Sequence, residues 1–145
     1  MNRVLVRLAG WAQADRALRH ALKPALAVVK AGVTIELDLI NVQTPIVYGE
    51  LLAKVGEEQA KEYAMKAGAR ALAAAHQILG NAGFPFHAKV AIGEVAEVIA
   101  AHVQNHQITE VVMGTRGLGP VSGLVLGSVA TKVIHLVDVP ITLVK

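Results

Sequence analysis

Five of the 13 glycines in this chain, Gly114, Gly117, Gly119, Gly123 and Gly127, fall within a stretch of fourteen residues. Glycine lets the main chain adopt positive φ and lets a ligand reach backbone amides with no Cβ in the way. The cluster ends at Gly127-Ser128, where the residues that follow predict a helix. The first amides of a helix have no intrahelical partner and stand at the positive end of its macrodipole. A phosphate suits that position, and the Ser128 hydroxyl can either donate to it or cap the helix. Arg116, inside the cluster, adds a cation that can pair with a phosphate.

Other phosphate chemistries are less well supported. No G-x-x-x-x-G-K-[ST] string occurs, which excludes a P-loop. Gly117-Leu118-Gly119-Pro120-Val121-Ser122-Gly123 faintly resembles a dinucleotide fingerprint, but it follows the fourth predicted strand rather than the first, which disfavours an NAD- or flavin-dependent oxidoreductase. His102 and His106 are spaced to share a metal, but His-Val-Gln-Asn-His lacks the glutamate of H-E-x-x-H and the spacing reveals no third ligand. A polar, solvated helix end is the reading adopted there, and no metal site is assigned. Ser122 and Ser128 are the only serines, neither lies in a nucleophile elbow, and there is no cysteine. No catalytic residue is assigned and no dedicated enzyme is expected, although slow hydrolysis of a bound nucleotide is left open.

The elements that must position the glycine cluster alternate regularly. Short apolar runs at 3–8, 33–42, 84–92, 108–113 and 140–144 read as strands, and 12–31, 51–79, 94–102 and 128–136 read as helices. Ala14, Leu18, Ala21, Leu22, Ala25 and Val29 line one face of the first helix, which Pro24 should kink or divide, and Gly32 closes it. Glu36 and Asp38 are expected to mark a more exposed beginning of the second strand. The unbroken apolar run at 108–113 suits a central strand buried on both faces. Five strands separated by helices make a single-domain, three-layer α/β sandwich: a five-stranded parallel sheet with helices on both faces.

Composition sets the surroundings. The 145 residues are 54% hydrophobic but only 3% aromatic, which is far from a disordered chain. The net charge of +3 comes from basic residues scattered among acidic ones, so nucleic-acid binding is not expected. Arg7 interrupts the first apolar run, ruling out a signal-peptide core there, and no apolar stretch approaches the roughly 18 residues of a membrane span. A cytoplasmic protein without membrane insertion is expected.

The spacing Gly114-x2-Gly117-x9-Gly127-Ser128, set within Val111-Val112-Met113-Gly114-Thr115-Arg116-Gly117 and ending in Val139-Pro140-Ile141-Thr142-Leu143-Val144, resembles the ATP-binding branch of the universal stress protein family. The resemblance spans 1–145 and is most specific in the last third. It implies an adenine-nucleotide-alpha-hydrolase-like sheet in order 3-2-1-4-5, a homodimer paired through Pro140–Val144, and a nucleotide held between strands 1 and 4. That location agrees with the rule that ligands bind where strand order reverses. Carried over by position, Met113, Gly114 and Gly117 would approach the phosphates and ribose, with Arg116 beside them. Gly127, Ser128 and Val129 would hold the phosphates, while Leu8, Ala9 and Val42 would border the adenine.

The chain departs from the family at the end of strand 1, where Ala9-Gly10-Trp11 stands in place of Asp-Gly-Ser. Alanine cannot hold a divalent metal, so ATP, ADP or AMP should bind with less need for magnesium. Trp11 can shield the pocket, stack on a base or pack against the first helix. The expected function is that of an adenine-nucleotide-binding stress-response regulator. The alternative is a nucleotide-free dimeric interaction module whose site Ala9 and Trp11 have closed; its protein partner is not named by the sequence.

Overall fold

The computed structural model describes residues 2–9, 14–115 and 126–145. In chain order the elements are β1 (Asn2–Arg7), α1 (Ala14–Lys30), β2 (Ile35–Gln43), α2 (Pro45–Val55), α3 (Glu57–Asn81), β3 (Phe86–Ile92), α4 (Val95–Asn105), β4 (Glu110–Gly114), α5 (Ser128–Leu136) and β5 (Ile141–Val144). The strands form one parallel sheet in the order β3-β2-β1-β4-β5. Strand order therefore reverses between β1 and β4, the expected place for a ligand crevice.

Side-chain alternation divides the core between the two faces of the sheet. Val4, Val6, Leu8, Leu37, Leu39 and Val112 pack under α1 and α3 with Leu18, Leu72 and Leu79. Leu5, Ile40, Val42, Val111 and Met113 pack under α4 and α5 with Ile99, Val103 and Val133. Val111, Val112 and Met113 are fully buried, as a strand covered on both sides requires. No helix among the described residues is long and apolar enough to cross a membrane.

Three local expectations need correction. First, α1 is one helix through Pro24 and is not divided there. Pro24 sits on the exposed side, while Ala17, Leu18, Ala21, Leu22 and Ala25 on the opposite side are buried, so core packing offsets the roughly 3 kcal/mol cost of an internal proline. Val29, placed on that apolar face by spacing, is 45% exposed. Second, the stretch read as one helix from Leu51 to Leu79 is two, because Gly56 adopts φ 85° and serves as the end of α2 and the start of α3. Only a residue without Cβ takes that conformation cheaply. Third, Asp38 is 2% exposed, not solvated. It faces α4, accepting hydrogen bonds from Arg3 Nε at 3.1 Å and from His102 Nε2 at 2.8 Å. His102, read as part of a solvated helix end, is likewise 93% removed from solvent at 7% exposure.

Candidate functional site

The C-terminal ends of β1, β2 and β4 meet at the order reversal. Leu8 continues β1, its amide donating to Ile40 O at 2.9 Å, while its own carbonyl accepts from Asn41 Nδ2 at 2.7 Å. Gln43 Nε2 donates in turn to Asn41 Oδ1 at 2.7 Å. This buried amide chain fixes the end of β1 against β2, and spacing alone gave no sign of it. Leu8 points into the α1/α3 layer and Val42 into the α4/α5 layer. The two side chains cannot form one apolar wall, so what they share with a common site is the main chain at adjacent strand ends. Ala9 is half-buried.

On the other side of the reversal, Met113 is buried in the α4/α5 layer and half-buried Gly114 is the last residue of β4. Thr115 then accepts from Gly127: its carbonyl lies 3.1 Å from the Gly127 amide, while its own amide donates to Val144 O at 3.0 Å. The two ends of the glycine segment are thus joined directly above β4. Gly127 has φ −61° and ψ 157°, an extended conformation open to any residue. Its glycine requirement is spatial, because a Cβ there would meet Thr115 O at 3.1 Å.

Gly127 is the N-cap of α5, and its carbonyl accepts from both the amide and the hydroxyl of Thr131 at 3.1 Å. The amides of Ser128, Val129 and Ala130 therefore precede the first intrahelical bond. Ser128 is exposed, Val129 is half-buried, and no side chain among the described residues caps the helix. Of the three residues assigned to phosphate, Gly127 has its amide already committed, whereas the amides of Ser128 and Val129 have no acceptor among the described residues. Arg116, Gly117 and Trp11 lie outside the described residues, as do Gly119, Ser122 and Gly123.

Two further residues bear on this end of the sheet. Strand alternation puts Arg7, the last residue of β1, on the same side as Leu5, Met113 and α5. Its Nε is buried with no hydrogen-bond partner among the described residues, and burial lowers its pKa. An interrupting arginine in an apolar strand was visible in the sequence, but its burial was not. Glu94 caps α4 by accepting from the Glu97 amide at 2.9 Å and reaches Lys132 of α5 at 3.5 Å. Those backbone hydrogen bonds hold its carboxyl below the ordinary value.

A helix N-terminus with no side-chain cap among the described residues, at the mouth of a parallel sheet and on the same side of it as half-buried Arg7, has the polarity that suits an anion. Comparisons with known proteins agree with the architecture. No curated protein sequence matches the chain. Among solved structures it is similar to universal stress protein UspA from Lactobacillus plantarum, at 17% identity and TM-score 0.78 over 99% of this chain and 97% of that one. A universal stress family protein from Arabidopsis thaliana with AMP bound aligns at 18% identity and TM-score 0.67, over 100% and 92% of the two chains. A universal stress protein in complex with cAMP aligns at 19% identity and TM-score 0.60, over 99% and 95%. The model of the universal stress protein family matches residues 1–145, and the chain belongs to that family.

Proposed function

We propose that the protein binds an adenine nucleotide, with ATP, ADP and AMP as candidates, at the C-terminal ends of β1 and β4. The observation that carries this reading is the junction of Thr115 with Gly127, which holds the free amides of Ser128 and Val129 over the strand-order reversal. Relatives of the same fold that hold AMP and cAMP support it. Met113 and Gly114 line the strand end, Arg116 and Gly117 follow in the loop, and Leu8, Ala9 and Val42 border the base through their main chain.

Ala9 offers no carboxylate to a divalent ion, so magnesium contributes little to binding. Arg7 supplies positive charge from the protein instead. The reading is of a cytoplasmic regulator or sensor rather than a catalyst, supported by a sequence whose two serines lie outside any nucleophile elbow and which has no cysteine.

Homodimer formation through Pro140–Val144 belongs to the same reading. Among the described residues β5 pairs with β4 on one side only, and its residues are all half-buried, leaving a largely apolar edge suited to a two-fold partner. Mass spectrometry of small molecules released from freshly purified protein tests the proposal. An adenine nucleotide is the expected finding; its absence, together with failure to reload, would favour the nucleotide-free interaction module.

A further inference from the structure

The far end of the sheet holds a cluster that nucleotide binding does not use. We propose that Asp38, His102 and His106 form a binding site for one divalent transition metal of the zinc class. Each residue offers a ligand atom, and the three atoms lie within 4.8 Å of one another. Asp38 lies four residues before Val42 on β2, roughly 13 Å from the proposed nucleotide end at the rise of an extended strand. The C-terminal end of α4 delivers the two histidines there. It is fixed by the Thr109 amide donating to Arg3 O at 2.8 Å just beyond the helix.

The geometry needs little change to accept a metal. Zinc bonds of 2.0–2.2 Å place tetrahedral ligand atoms about 3.3 Å apart. Asp38 Oδ2 and His102 Nε2 are now 2.8 Å apart, sharing one proton. A metal replacing that proton opens the pair by about half an ångström. His106 is the C-cap of α4, half-buried, with its ring stacked on His102 at 4.1 Å and 27°. Its side chain can close on the shared position without disturbing the helix. A metal on Nε2 places the ring proton of His102 on Nδ1, which has no acceptor among the described residues, so the metal bonds must offset that unpaired N–H.

Access and charge also fit. Asp38, His87, Lys89, His102 and His106 line a solvent-connected hollow of about 200 Å³. His87 pairs in register with Asp38 at the exposed rim of the hollow, outside the set of three, which leaves the fourth position of a tetrahedral metal to solvent water. Arg3 is the competing cation, reaching Oδ2 through Nη2 at 3.0 Å and Oδ1 through Nε at 3.1 Å. It can yield Oδ2 while keeping Oδ1, because Glu36 stands 3.7 Å from its Nε as a second carboxylate. Two imidazoles and one carboxylate select zinc, cobalt or nickel over magnesium or calcium.

Cobalt(II) titration of the full chain, read by its visible d–d absorption, is the direct test, with zinc-dependent melting temperature as the second measure. Wild-type protein should bind one equivalent with four-coordinate bands, and zinc should raise the melting temperature reversibly with chelator. His106→Ala removes a half-exposed ligand without touching the core and should weaken binding tenfold or more, a loss no smaller than that caused by removing an outer-shell partner. The exposed control His135→Ala should bind like wild type. Absent four-coordinate bands in wild type, or equal affinity in wild type and His106→Ala, would overturn the proposal.

Discussion

The backbone amide of Gly127 donates to the carbonyl of Thr115 across 3.1 Å, closing the glycine segment on itself and setting α5 on the end of β4. One amide that the sequence offered to a phosphate is consumed by this bond. Binding is left to the two amides that follow, and they can be removed singly.

Ser128→Pro tests the first of them. Proline is tolerated at the first position of a helix, and the extended Gly127 backbone before it, φ −61° and ψ 157°, already matches what a following proline demands. The substitution should leave the melting temperature unchanged while weakening nucleotide binding by roughly ten- to a hundredfold, since a hydrogen bond to a charged group is worth ~1.5–3 kcal/mol. Equal affinity measured by calorimetry would show that this amide does not face the ligand.

Arg7→Met separates stability from binding. A half-buried guanidinium whose Nε is buried with no partner among the described residues costs free energy, so its replacement by a flexible apolar chain should raise unfolding stability by about 1–3 kcal/mol. Nucleotide affinity should fall in the same variant. Higher stability with unaltered affinity would remove Arg7 from the site.

Gly68→Ala tests the contact between α3 and β3. An added Cβ would clash with Val90 Cγ1 and lie 3.0 Å from Val90 Cβ, too close for a stiff β-branched side chain to evade. Overpacking should cost about 1–3 kcal/mol in urea unfolding despite alanine's better helix propensity. Adding Val90→Ala should recover part of the loss, and a strictly additive double variant would contradict the contact.

Stability should fall in acid through Asp38 and His102. Burial lowers the His102 pKa, and the opposing hydrogen bond from Asp38 does not restore it, so the folded state holds a neutral imidazole. Burial would raise Asp38, but hydrogen bonds and charge from Arg3 and His102 outweigh it and lower its pKa. Both groups bind protons more readily when unfolded, so their stabilisation is present above their unfolded pKa values and is lost as pH falls through the depressed folded ones. For metal-free protein in chelator, urea midpoints should begin to fall near the ordinary imidazole value of ~6.5 and fall further below the ordinary carboxylate range of ~3.9. Stability that rises between neutrality and pH ~5, in the range where histidine titrates, would mean a charged His102 paired with Asp38.

Much of this architecture was legible from local pattern. The five apolar runs and the Ala-rich segments between them led to the observed sheet and helices, and the resemblance carried by Gly114, Gly127 and Ser128 supplied the strand order. What could not be read depended on partners distant in sequence. Asp38 looked solvated because Arg3 and His102 lie 35 and 64 positions away. The same separation hid the third member of the His102–His106 pair. Gly56 escaped notice because the helix-forming pattern on both sides is continuous, and only the backbone conformation marks the break.

Isothermal titration calorimetry of the purified, nucleotide-stripped protein with ATP, ADP and AMP, each with and without magnesium, tests the central claim most directly. Saturable heat at one equivalent per chain, little changed by magnesium, is the predicted result. No heat from any of the three up to millimolar concentration, in either condition, would contradict the nucleotide site.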